Sequence, residues 1–130
     1  MKKVEGGVTA ALGFEAASTA AEIKYQNRTD MALVYSKVPC KAAGTFTTNV
    51  VKAAPVMWDK KIVENSPAVW AVVVNSGIAN ACTGTQGMEC CEKTAKAAAE
   101  ALDIPEDAVL VASTGVIGMQ IPVDRIIKGV

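Results

Sequence analysis

Histidine is absent from this chain of 130 residues. No Ser–His or Cys–His pair, and no histidine base of any kind, can be assembled from it alone. Zinc is disfavoured on the same ground. Cys40, Cys82, Cys90 and Cys91 form no C-x-x-C pair, so neither a metal site nor a disulfide scaffold is expected. A charge of dominant sign is missing too: 13 basic and 13 acidic residues cancel, which leaves no electrostatic footprint for nucleic acid or a membrane surface. Aromatics are scarce, two each of Trp, Tyr and Phe, so base stacking is not the trade of this chain. No window reaches the ~18 apolar residues a spanning helix needs. Met1-Lys2-Lys3 is basic but has no apolar core after it, unlike a secretory leader. The default location is the cytoplasm.

What is present is aliphatic. Hydrophobic residues make up 51% of the chain, and many are alanine and valine, suited to close-packed helices and buried strands. Residues 1–130 are expected to form one domain or part of one. Met31–Ser36 reads as a strand ended by Val38-Pro39, and Gly44–Asn49 as a second strand or strand end. Gly13–Ala17 reads as loop or edge. A helix is expected around Met57–Val63, closing before Asn65-Ser66-Pro67. Val69–Val74 is the most hydrophobic run and has the look of a strand buried on both faces.

The clearest helix follows. Thr83 with Gln86 three residues on matches a capping box. Met88, Cys91, Ala95, Ala98 and Leu102 then recur at spacings of three and four, one face of an amphipathic helix. Asp103-Ile104-Pro105 ends it. Cys90 falls beside the stripe, and neither it nor Cys91 has a neighbouring cation to make it reactive. A last helix starts at Pro122, with Asp124 and Lys128 placed to suit its dipole and Val123, Ile126, Ile127 and Val130 as its apolar face. Gly129 reads as its terminator. An apolar Val130 after it reads as a truncation or processing point.

The chemistry is expected at Val109–Gly118. A short apolar run is broken there by Ser113, Thr114 and Gly115, the pattern of a buried strand that ends in a tight turn. Backbone N–H groups lose their ladder partners at such a turn, and a hydroxyl beside a glycine lets a carbonyl oxygen approach the main chain. That is the local chemistry of an oxyanion hole. Strands also end in Ser, Thr and Gly for purely structural reasons. Val69–Val74, the helix and Val109–Ala112 form a strand–helix–strand unit whose crossover permits parallel pairing. Asn75-Ser76-Gly77 and Ser113-Thr114-Gly115 then leave the same sheet edge, where ligands of open α/β sheets bind. Gly115-Val116-Ile117-Gly118 also has G-x-x-G spacing, but a strand precedes it and no basic flank accompanies it, unlike a nucleic-acid-binding loop.

Several stretches in order resemble one family. They are Ala43–Asn49, Ala53-Ala54-Pro55-Val56, Val72–Gly77, Ala79–Gly84 and Ser113–Gly118. Together they are similar to the N-terminal part of ornithine acetyltransferase, the glutamate N-acetyltransferase family of arginine biosynthesis. Ile78 departs from it; the family commonly has a second asparagine there.

The resemblance implies an αββα sandwich with mixed sheets, an α+β fold completed by a second chain. It implies a precursor that cleaves itself before a threonine, freeing that threonine as the N-terminal nucleophile of a beta chain. Acetyl passes from N2-acetylornithine to the threonine and then to glutamate; some members also accept acetyl-CoA, as a substrate. No cofactor and no metal are implied. The nucleophile and the substrate-selecting residues lie outside this chain. Thr114, through its hydroxyl, and Gly115, through its N–H, carry over as the oxyanion pair, with a heterotetramer of two alpha and two beta chains as the assembly. Such a mechanism needs no histidine, because an N-terminal threonine has its own α-amino group, of pKa near ~8, as base. The alternatives are a self-processing amidase or aminopeptidase of the same fold, which releases its acyl group to water, and a non-catalytic fragment.

Overall fold

A computed structural model describes residues 3–130. Met1 and Lys2, two of the three residues of the basic N-terminal stretch, lie outside the described residues. Four strands form one sheet: β1 (Phe14–Thr19), β2 (Met31–Cys40), β3 (Val69–Asn75) and β4 (Val109–Ser113), in that spatial order. The first two pairings are antiparallel, and β3 with β4 is parallel. The parallel pair is joined through α2 (Gly84–Leu102), with α1 (Ala54–Asn65) before it and α3 (Val123–Gly129) at the end.

Helices cover one side of the sheet only. Val69, Ala71, Val73, Val109 and Val111 face them and are buried together with Cys91, Ala95 and Ala98 of α2, Trp58 and Ile62 of α1, and Ile126 of α3. Cys91, Ala95 and Ala98 have no exposed surface. Small side chains there let the helix approach the pleat closely, and each buried valine contributes about 1.5–3 kcal/mol. On the other side Ala32, Val34, Trp70, Val72, Val74 and Ala112 are only half-buried. β3 is therefore not buried on both faces as its composition suggests: it alternates buried and half-buried along its length, and no second layer among the described residues covers the bare side. The chain thus forms one helical layer and one mixed sheet of the expected sandwich.

Other expectations need correction. Pro39 does not end β2. The strand runs on to Cys40 through an irregularity between Tyr35 and Cys40, where proline is asked for no ladder donor. Gly44–Asn49 forms no strand. Its side chains take the backbone donors instead: Asn49 N–H donates to Thr47 Oγ1 at 3.2 Å and Val51 N–H to Asn49 Oδ1 at 3.1 Å, in competition with any ladder. Helix α1 starts three residues early, because Pro55 occupies its first turn. Gly13–Ala17 lies largely in edge strand β1. The capping box at α2 is not made: Thr83 is the N-cap residue, but its hydroxyl donates to Asn80 Oδ1 at 2.7 Å, and Gln86 stays exposed. In α3, Ile127 is exposed rather than on the buried face. Gly129 is the last helical residue, set so close to Met31 Sδ that an added Cβ would lie 2.6 Å from it.

Candidate active site

β3 and β4 end in register, Asn75 opposite Ser113, so the two turns run side by side. Thr114 N–H donates to Asn75 O at 3.0 Å and Val116 N–H to Gly77 O at 3.1 Å. A bridge between Ile78 and Val116 continues the parallel pairing past the turns. Further out, Gly118 N–H donates to Ala81 O at 2.9 Å and Gln120 Nε2 to Thr83 O at 3.1 Å. Gly115 has φ +131°, a conformation L residues rarely adopt, and a Cβ there would collide with the Gly77 carbonyl and lie 2.6 Å from Ile78 N. Only glycine fits both demands.

The consequence is a pair of free donors. The amides on either side of Gly115 are engaged. Among the described residues, the Gly115 N–H and the Thr114 hydroxyl donate to nothing, and both residues are exposed. The sequence-predicted oxyanion pair is thus adjacent, unspent and held from both sides.

Asn75, which the sequence places at the first of the two turns without a role for its side chain, is the hub. It is 4% exposed. Its Oδ1 accepts the Ser113 hydroxyl at 2.6 Å, and its Nδ2 donates to Ile78 O at 3.1 Å. Ile78, the departure from the family pattern, fills the core at 1% exposure, and the polar link at this turn is made by Asn75. A second buried network anchors the following loop. Asn80 Nδ2 donates to Gly87 O at 2.9 Å and approaches Cys91 Sγ at 3.4 Å, and Asn80 O accepts Ala54 N–H at 3.1 Å. From outside the unit, Asp30 O accepts Ser76 N–H at 2.8 Å, while its carboxylate takes the Ala21 and Ile23 amides.

Two of the cysteines are poor nucleophiles. Burial pushes the Cys91 thiol up to about 12 and raises Cys90 as well. Cys40 and Cys82 are free thiols; Cys40 Sγ donates to Ser36 Oγ at 3.2 Å, and Cys82 lines a cavity together with Lys52. No group of three or more His, Cys, Asp or Glu among the described residues could hold a metal ion.

A cavity of about 360 Å³ adjoins the turn, walled by Thr45, Thr47, Pro55, Asp59, Val111 and Ser113 among others. It stops one residue short of Thr114. Asp59 is the titratable group in it. Its Oδ1 accepts Val111 N–H at 2.9 Å, while burial lifts its pKa to about 6 against that hydrogen bond. Beside this cavity the turn thus presents two unengaged donors, the Thr114 hydroxyl and the Gly115 N–H.

A family profile described as "ArgJ family" matches residues 15–130. The curated relatives include the arginine biosynthesis bifunctional protein ArgJ of Symbiobacterium thermophilum, 51% identical over 132 residues. That alignment covers all of this chain and 33% of the relative. The protein of the same name from Thermotoga neapolitana is 50% identical over 119 residues, covering 91% of this chain and 30% of the relative. The chain thus spans about a third of the length of these relatives. Among solved structures, ornithine acetyltransferase from Mycobacterium tuberculosis in complex with ornithine has a TM-score of 0.89 at 45% identity, covering 95% of this chain and 66% of that one. The arginine biosynthesis bifunctional protein ArgJ of Bacillus halodurans has a TM-score of 0.89 at 40% identity, covering 95% and 64%.

Proposed function

We propose, from the premise that this chain belongs to the ArgJ family, that it supplies the oxyanion hole of a glutamate N-acetyltransferase. The observation that carries this reading is the pair of unspent donors, Thr114 Oγ and Gly115 N–H, between two amides that are both engaged. The attacking group is the N-terminal threonine of a beta chain from the same precursor, and two alpha and two beta chains assemble in the cytoplasm. No helix among the described residues is long and apolar enough to cross a membrane, which suits that location.

The chemistry follows from the donors. The threonine hydroxyl of the partner attacks the acetyl carbonyl of N2-acetylornithine, and its proton passes to the threonine's own α-amino group. Negative charge moves to the carbonyl oxygen, where Thr114 and Gly115 receive it. The C–N bond breaks, the proton goes to the departing α-amine, and ornithine leaves an acetyl ester. The glutamate amine attacks that ester through the same hole; the C–O bond breaks and threonine regains its proton. Donors of this kind are worth about 3 kcal/mol each in the transition state. Acetyl-CoA enters as an alternative acyl donor by the same route, with thiolate as leaving group.

The test is Thr114→Ala in the complete two-chain enzyme, with acetylornithine or acetyl-CoA as donor and glutamate as acceptor. The expected result is a kcat lower by about 100-fold, with slower appearance of acetyl-threonine by mass spectrometry. An unchanged rate removes Thr114 from the mechanism. Release of acetate with no acetylglutamate would point to the amidase chemistry instead.

A further inference from the structure

We infer that Asn75 is a positioning residue for the oxyanion hole: its side chain straps the two turns together and so aims Thr114 and Gly115. The inference rests on the reading above. Asn75 is the residue that bonds to both turns with side chain and main chain at once. Its carbonyl oxygen holds Thr114 N–H, its Oδ1 holds the Ser113 hydroxyl, and its Nδ2 holds Ile78 O. Ser113 and Ile78 bracket the place where Gly115 lies against the Gly77 carbonyl, too close for any side chain. The strap therefore crosses the contact that sets the direction of the Gly115 N–H.

Oxyanion donors act only when they lie about 2.7–3.1 Å from the oxygen as it becomes charged, so a loosened turn loses transition-state binding before it loses substrate. Asn75 is buried, and no water replaces its two side-chain bonds at equal cost. Aspartate would keep the acceptor for Ser113. It would lose the donor to Ile78 O and set an anion behind a site built to receive one.

The experiment is a double-mutant cycle in the complete enzyme, with kcat normalised to the fraction of active sites acetylated in the first turnover and thermal midpoints measured alongside. Asn75→Ala is expected to lower kcat by about 10–100-fold with KM within about threefold, since the loss falls on the transition state. In a Thr114→Ala background the same change should still slow the enzyme, but by a clearly smaller factor, because one of the two donors that Asn75 aims is already gone. Asn75→Asp should not rescue. Ser113→Ala, which removes the hydroxyl end of the strap and leaves Asn75 in place, should show the same coupling to Thr114 and decides the matter if Asn75→Ala does not fold.

Equal losses in both backgrounds, or a lower thermal midpoint with normalised kcat intact, would overturn the inference. A slow Thr114→Ala enzyme beside a full-speed Asn75→Ala enzyme overturns this inference alone. A full-speed Thr114→Ala enzyme overturns the oxyanion reading itself.

Discussion

Asp59 shows how one carboxylate can serve structure at a cost that depends on pH. Strand β4 is an edge of the sheet, and α1 closes that edge with two adjacent side chains. Trp58 Nε1 donates to Val109 O at 3.0 Å, and Asp59 Oδ1 accepts Val111 N–H at 2.9 Å. Burial raises the folded-state pKa to about 6, above the ~3.9 of a free aspartate. The folded state therefore holds the proton more tightly. The stabilising contribution is complete below about pH 4 and is lost as pH rises through about 6. Asp59→Asn keeps the acceptor and removes the titration. Urea midpoints should show the variant more stable than the parent at pH 7 and the difference gone near pH 4; a difference that does not change with pH would refute the assignment.

Gly115 permits a sharper test. With φ at +131° and the Gly77 backbone against it, Gly115→Ala should cost about 1–3 kcal/mol and abolish acetyl transfer, read by chemical denaturation and initial rates. Thr114 and Gly115 stand out in the sequence because a hydroxyl and a glycine interrupt an apolar run, while their pairing as oxyanion donors is what the family resemblance implies. The turn at Asn75 stands out as well, but the bonds made by the Asn75 and Asp59 side chains do not. Their partners lie on other elements, and only the parallel register and the docking of α1 on β4 bring them together.

At the scale of elements, the helical stripe of α2 was readable and its ends were read for partly wrong reasons. The stripe from Cys91 to Ala98 is buried as its spacing predicts. The start is organised by the Asn80–Thr83–Gly87 network, in which an added Cβ on Gly87 would run into the Thr83 hydroxyl and lie 2.7 Å from Asn80 Oδ1. Local motif matching cannot see that network, because Asn80 precedes the cap and acts through the second turn. The end is a left-handed residue: Asp103 has φ 53° and ψ 49°, and Ile104 N–H reaches back to Ala99 O at 3.0 Å. That geometry suits glycine best. Asp103→Gly should therefore stabilise the protein by about 0.5–1 kcal/mol with activity unchanged, since Asp103 is exposed and precedes the start of β4 whereas the turn follows its end. A fall in melting temperature would mean that the Asp103 side chain makes a contribution this geometry does not account for. The missed elements share a cause. Strand propensity alone misplaces Gly44–Asn49 and Pro39, because side chain-to-backbone bonds decide the first and a register irregularity the second.

For the molecule as a whole, the informative error is the run Val69–Val74, read as buried on both faces. Composition reports the environment a strand is suited to, and this chain builds only one of the two layers that environment requires. Continuing the strand alternation one residue beyond Ser113 assigns Thr114 to the same bare side as Val72, Val74 and Ala112. On the function proposed above, the uncovered face and the Thr114 donor then lie on the same side of the sheet. A second sheet laid on it would bury the valines and carry the nucleophile to Thr114 in a single step, so docking and catalytic assembly would share one surface. Val72→Lys tests this. The side chain is half-buried in this chain alone, so the isolated segment should keep its circular dichroism. Covered by a second layer, the ammonium would lose its water at a cost of several kcal/mol. Co-purification with the downstream chain should fall more than about tenfold, with transferase activity lost in proportion. Glu92→Lys on the outward side of α2, exposed in this chain, should leave both unchanged. Val72→Lys that still captures its partner would place the second chain elsewhere, and with it the route by which a nucleophile reaches Gly115.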